Sequence, residues 1–353
     1  MAKKVLLWFL IVGLLLFLMT ACITPFTPTG SLTLASPYTP VSAGAWEQLP
    51  YSGSNVECLA IDPDNSQILY AGTYRNGVSK STDSGANWTS SSTGLTKKFV
   101  QCLAIDSSNP QILYAGTEGK VFKSVNGGAN WTDSSAGLEF VLNRFVQCLA
   151  IDPNNPQTLY AGTWGSGVCK STDSGANWTS SSTGLTQIGV TSLVIDPVNP
   201  QTLYVGTEGD GVYKSADGGA NWTSSSAGLT NKLVQCLAID PINPQNLYAG
   251  TWVGSVYFST NGGVSWDRKN PPVWTRSSVH CLAIDPVNPQ TLYAGTLGSG
   301  VNKSNDSGVS WTDFSTGLTL LHKEVQCLAI DAGNPETLYA GTLDSGVFRI
   351  TPK

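Results

Sequence analysis

Charge is what this sequence has least of. Only 12% of its 353 residues are Asp, Glu, Lys or Arg, and it holds two histidines and five arginines. Without a basic cluster nothing is available to neutralise a run of phosphates, which argues against nucleic acid as a partner. His280 and His322 with no Cys-x-x-Cys make a poor metal-ligand set, so neither a metal nor a cofactor is expected. No apolar run reaches the roughly 20 residues of a membrane-spanning helix. The long one, Val5–Met19, has 15 residues.

What is abundant is Gly, Ser, Thr and Asn, the composition of short strands joined by tight polar turns. Four segments recur in fixed order at a period of about 43–47 residues, near that of a four-stranded propeller blade. V-x-C-L-A-I-D starts at Val56, Val100, Val146, Val234, Val279 and Val325, and its copy at Val190 has Ser192 in place of the cysteine. L-Y-A-G-T follows, then a G-V-x-K-S-like strand, then a turn of the form Ser-x-Asp-x-Gly-x-x-Trp. That turn occurs six times, around Asp83, Asn126, Asp173, Asp217, Asn261 and Asp306. The unmatched tryptophan is Trp46, ahead of the first repeat, and the last repeat stops without one. A ring resolves the mismatch. The sequence therefore predicts an all-β fold, a single seven-bladed propeller of four-stranded antiparallel blades over 45–353. An N-terminal strand, Trp46–Leu49, completes the last blade and removes an exposed sheet edge.

Strict alternation along the first strand puts Val100, Cys102 and Ala104 on one face and Leu103 and Ile105 on the other. In the turn, Asp83 is expected to accept backbone N–H groups, Gly85 to supply a positive φ and Trp88 to bury its ring between blades. Asn126 and Asn261 replace the aspartate in two copies, so the position is structural. The aspartates before the prolines, Asp62 and its counterparts, read as turn initiators. Equivalent cysteines lie one blade apart, too far for a bridge, and are expected to be buried thiols.

The N-terminus reads as an address. Lys3 and Lys4 precede the apolar run, which ends in Met19-Thr20-Ala21-Cys22. This resembles a bacterial lipobox. The resemblance implies that 1–21 is a lipoprotein signal peptide and that Cys22 is lipidated, anchoring an exported protein to the cell-envelope membrane. An ordinary export signal and an uncleaved membrane anchor are the alternatives. Removing 1–21 takes away Lys3 and Lys4, moving the net charge from −5 to −7. The Pro/Thr/Ser-rich stretch 22–44 reads as a tether.

The Ser-x-Asp-x-Gly-x-x-Trp turn resembles the Asp-box, or bacterial neuraminidase repeat, of a propeller superfamily. That superfamily includes sialidases, xyloglucanases and the photosystem II assembly/stability factors. The arginine triad that the sialidase resemblance would require is not met by Arg75, Arg144, Arg268, Arg276 and Arg349. Phe348-Arg349-Ile350 lies in the last blade, where its arginine takes the place of a repeat lysine. Xyloglucanases pair two propellers across a cleft. The assembly factors match in length, blade number, export and lipidation, although a basic patch is expected of them.

Function is sought where the copies differ. The loops after Ala-Gly-Thr and the loops between blades share one face, opposite the Asp turns. That face collects Tyr74, Arg75, Trp164, Trp252, Trp274 and Arg276, a mixture suited to a protein or glycan partner. The insertion 139–144 and the loop 268–276 fall there too. A non-catalytic, membrane-anchored binding or assembly propeller with a monomeric body is the expectation. The alternative is a glycoside hydrolase of xyloglucanase type, for which Glu118, Glu208, Asp210 and Asp344 are the carboxylate candidates.

Overall fold

The computed structural model describes residues 44–51, 53, 55–138, 145–186, 189–269, 277–319 and 322–351. Residues 1–43, which include the expected signal peptide, Cys22 and most of the expected tether, and Trp274, Arg276 and the insertion 139–144 lie outside the described residues.

The strands form seven four-stranded antiparallel sheets, one per repeat. Blades 1 to 7 begin with the strands Val56–Ile61, Val100–Ile105, Val146–Ile151, Val190–Ile195, Val234–Ile239, Val279–Ile284 and Val325–Ile330. These first strands abut one another around the axis. The short strand Glu47–Gln48 pairs with Gly346–Ile350, so the N-terminal segment supplies the outer strand of blade 7. The ring expected from the orphan tryptophan is the observed one.

The faces of the first strand differ from strict alternation. A β-bulge lies between Val100 and Cys102, and its equivalent recurs in all seven blades. The extra residue turns the valine over. Val100 packs with Leu103, Ile105 and Leu113 against Tyr70 and Val78 of blade 1. Cys102 points the other way, towards Val146 and Leu149 of blade 3. Six blades thus oppose small Cys and Ala to a neighbour's Val, Leu and Ile, and blade 4 uses Ser192 and Val194 in their place, which fills the wedge between sheets. Gly116 belongs to the same contact, because a Cβ there would lie 2.4 Å from Cys102 Sγ. The thiols of all seven described cysteines are free. Burial pushes those of Cys58, Cys102, Cys281 and Cys327 well above the ordinary range.

The Asp turns form clamps. Ser81 Oγ accepts the N–H of Gly85 at 2.8 Å and donates to Asp83 Oδ1 at 2.8 Å. Asp83 in turn accepts the backbone N–H of Asn87 at 2.8 Å. Asn126 accepts the equivalent N–H with its amide oxygen at 2.9 Å, so no carboxylate is needed. The preceding blade grips the turn. Tyr70 hydroxyl and Lys80 Nζ both donate to the carbonyl of Gly127, at 3.0 and 2.8 Å. Trp131 Nε1 donates back to the carbonyl of Ser91. Trp88 and Trp311 follow blades that lack the Ser-Ser-x-Gly-Leu segment, and they donate instead to Gly85 and Gly308 of their own turns. Trp88 is accordingly half-buried rather than sealed.

Asp62 accepts the N–H groups of Asp64 and Asn65, at 2.9 and 3.2 Å, and its counterparts do the same. These aspartates are turn initiators.

Candidate functional site: the rim of the channel

The loop after the second strand and the loop into the next blade meet on one face. Gly77 N–H donates to the Lys98 carbonyl, Gly211 to Lys232 and Gly300 to Lys323. On the opposite face the Asp turn meets the Asp-Pro turn, as in Ser84 N–H to the Gln67 carbonyl.

The variable face has an inner rim that sequence reading had not resolved. The residue after Ala-Gly-Thr in one blade bridges to the residue just before the first strand of the next. Glu118 pairs with Phe145, Trp164 with Gly189, Glu208 with Leu233, and Leu297 with Glu324. The same residues also reach back to their own blades. Trp164 N–H donates to Phe145, Glu208 to Gly189, and Trp252 to Leu233, each at 3.0 Å. Tyr74 donates to Asn55, which donates to Leu343. Tyr74, Glu118, Trp164, Glu208, Trp252, Leu297 and Leu343 thereby stand one per blade around the channel mouth.

Three rings pack in series on this rim: Tyr74 on Phe99 at 4.2 Å between centroids, and Phe99 on Phe145 at 4.8 Å. Arg75 lies over Tyr74 at 5.3 Å. Phe99 and Phe145 were missed from the sequence because they directly precede the strand motif. The signal was present, since the other copies carry Asn55, Gly189, Leu233, Ser278 or Glu324 at that place. Trp164 Nε1 donates to the Glu208 carboxylate across the boundary between blades 3 and 4. Trp252 is 44% exposed.

The carboxylate candidates come from three blades, with Glu208 and Asp210 sharing one loop. Glu118 pairs with Lys97 at 3.7 Å, in blade 2. Glu208 turns to Trp164, two blades on. Asp210 shares the Glu208 loop but accepts from Thr186 and Tyr213 further out along the blade, at 2.5 and 3.0 Å. Those hydroxyls hold its carboxyl below the usual range, the wrong direction for a general acid. Asp344 is exposed in blade 7.

The bulge residues of the seven first strands are polar and half-buried: Glu57, Gln101, Gln147, Thr191, Gln235, His280 and Gln326. Glu57 hydrogen-bonds Gln101 of the next blade, and burial raises its carboxyl to about 7. Burial lowers the His280 imidazole, with Gln326 acting in the opposite direction, and the ring lies 6.2 Å from that of Trp252. An open cleft of about 370 Å³ lies further out on blade 5, lined by Asn231, Lys232, Tyr257 and Arg268 among others.

No protein-family model matches the chain, and no curated protein matches its sequence. Solved structures do match. The GH74 xyloglucanase from Xanthomonas campestris superposes with a TM-score of 0.70 at 20% identity, over 86% of this chain and 53% of that one. The chain therefore spans about half the length of that enzyme. YCF48 from Cyanidioschyzon merolae superposes with a TM-score of 0.69 at 13% identity, over 87% of this chain and 98% of that one. YCF48 bound to D1 peptide gives 0.67 at 15% identity, over 90% and 98%. What these proteins share with the chain is the fold.

Proposed function

We propose that this chain is a non-catalytic binding or assembly propeller that recognises a protein partner through its variable face and is held at a bacterial envelope membrane by lipidated Cys22. The observation that carries the reading is the aromatic rim. Tyr74, Phe99 and Phe145 form one continuous stack, with Trp164 next along the rim and Trp252 exposed on blade 5. Rigid aromatics give contact area at little entropic cost, the usual chemistry of binding hot spots. A single ring of the same fold, YCF48, has a structure bound to D1 peptide. Glycan binding uses similar aromatics and is the second outcome of the test.

Hydrolysis is the weaker reading. Glycosidases hold two carboxyls about 5–5.5 Å or 6.5–9.5 Å apart across one sugar. Here Glu118 and Glu208 belong to blades 2 and 4, and each is engaged by a neighbour.

The test is affinity capture from solubilised envelope with the full chain as bait, compared with Tyr74→Ala and Trp164→Ala baits of equal thermal stability. A partner retained by the wild type and lost by both variants supports the reading. Equal retention by all three overturns it, as does release of reducing sugar from xyloglucan. Metabolic palmitate labelling that disappears in Cys22→Ser tests the anchor.

A further inference from the structure

Blade 5 differs from blade 4 at three linked positions. In blade 4 the loop Thr207-Glu208-Gly209-Asp210-Gly211 places Asp210 against two hydroxyls, Thr186 Oγ1 and the Tyr213 phenol, 2.5 and 3.0 Å from Oδ2. Blade 5 keeps that hydroxyl pair, with Thr230 Oγ1 and the Tyr257 hydroxyl 2.7 Å apart. Its loop is Thr251-Trp252-Val253-Gly254-Ser255, so Gly254 stands where the carboxylate was.

A cation has arrived in the same place. Arg268 pairs with Tyr257 across the outer strands. The other blades carry Ser90, Asp133, Ser180, Ser224, Asp313 or Gln48 at this position. Arg268 Nε donates to Ser255 Oγ at 3.0 Å. Ser255 is itself a departure. Most blades have a left-handed glycine there, such as Gly77 (φ 77), where a Cβ would fall 2.4 Å from Ser92 Oγ. Blade 5 has a side chain there, and it is the one that meets Arg268. The serine and the arginine are therefore complementary changes, and the serine fixes the guanidinium. The arginine's Nη groups have no carboxylate partner among the described residues. Thr230, Asn231, Lys232, Ser255, Tyr257 and Arg268 line the cleft with no acid among them.

We propose that this cleft binds the carboxylate of an acidic side chain on a peptide segment of the partner, the ligand supplying in blade 5 what Asp210 supplies in blade 4. A planar guanidinium held through Nε offers its remaining N–H groups to a carboxylate in a fixed geometry. Lys232 adds a second charge, which it shares with Asp210. Exposed Trp252 and Val253 stand beside the cleft, on its rim side, and suit an apolar residue flanking the acid. A chain following the rim would pass the cleft sideways and drop a side chain into it, which favours a side-chain carboxylate over a C-terminus.

The proposal rests on the protein-binding reading of the variable face. Its test is selection of random displayed heptapeptides on the full-length protein, followed by fluorescence anisotropy with amidated peptides. The wild type is expected to enrich Asp or Glu beside an apolar residue. Replacing that Glu by Gln in the peptide weakens binding by about tenfold, the effect of losing one charge-assisted contact. Arg268→Gln and Lys232→Met remove the preference, and the Glu-to-Gln change then costs nothing further. Lys232 makes no side-chain hydrogen bond among the described residues, so its variant folds even if the arginine variant does not. Peptides retained without acidic preference overturn this proposal and leave the binding reading standing. Affinity that follows a free C-terminus also overturns it. If no peptide is retained, both fall.

Discussion

Arg349 Nε donates to Glu47 Oε1 at 2.8 Å, joining the last strand of the chain to the first. Its Nη1 reaches onward to the carbonyl of Ser84 in the blade 1 turn, at 3.1 Å. One side chain thus holds the split blade together and grips the next, the task that Lys80, Lys123, Lys170 and Lys214 perform elsewhere. Arg349→Ala is expected to destabilise the ring by about 1–3 kcal/mol, the range for charge-assisted bonds that are partly shielded from water. Arg349→Lys should recover the contact to Ser84 and only part of the loss. Urea unfolding of the two variants checks this, and equal stability of Arg349→Ala and wild type would refute it.

Glu57 gives the protein a pH dependence near neutrality. Burial raises its carboxyl from 4.5 to about 7 in the folded state. The folded protein therefore keeps this proton where the unfolded chain releases it, and stability falls as pH rises from about 4.5 to about 7. The loss amounts to about 3 kcal/mol once both states are ionised. Glu57→Gln should remove that slope and raise the melting temperature at pH 8 but not at pH 4. Melting curves across this range decide the matter.

The Asp turns act at the acid end with the opposite sign. Hydrogen bonds from Asn177 and Ser171 lower Asp173 to about 2, and those from Asn221 and Ser215 lower Asp217 to about 2. Their contribution is present above the unfolded value and is lost as pH falls from about 4 towards 2. Asp173→Asn should fold normally at pH 7, since Asn126 and Asn261 fill the same role, and should flatten the acid limb. Asp173→Ala should lose stability at pH 7, with the loss shrinking as pH falls towards 2. Acid titrations followed by tryptophan fluorescence would expose a failure of either expectation.

The tryptophans divide into two classes. Trp178 Nε1 donates to the Ser134 carbonyl of the preceding blade in a buried contact, whereas Trp88 bonds its own Gly85 and is half-buried. Trp178→Phe leaves a buried carbonyl unpaired and should cost about 1–3 kcal/mol. Trp88→Phe should cost clearly less. Equal losses in denaturant titrations would mean that the bond between blades contributes little.

Much of the molecule was legible because a repeat averages out local ambiguity. Seven copies of V-x-C-L-A-I-D, six Asp turns and the displaced Trp46 gave the blade number and the closure, and the two Asn copies marked the turn as scaffold. The faces of the first strand were misread. A bulge leaves no mark in the hydrophobic pattern when the displaced residue is a valine that is buried on either side. Phe99 and Phe145 were passed over for a related reason: adjacency in the rim is created between blades, with Tyr74 and Phe99 25 residues apart in the chain and Phe99 and Phe145 46 apart.

The sequence by itself determined the architecture, since each blade is built from local hairpins whose turns are spelled out residue by residue. Only the tertiary structure decided what the variable loops do. Closing the ring sets Tyr74 on Phe99 and turns Trp164 towards Glu208. It leaves Arg268 lining a cleft that lacks the carboxylate Asp210 supplies in blade 4. Those relations depend on the packing of one sheet against the next, and the chain specifies them through the volumes of buried side chains rather than through any motif.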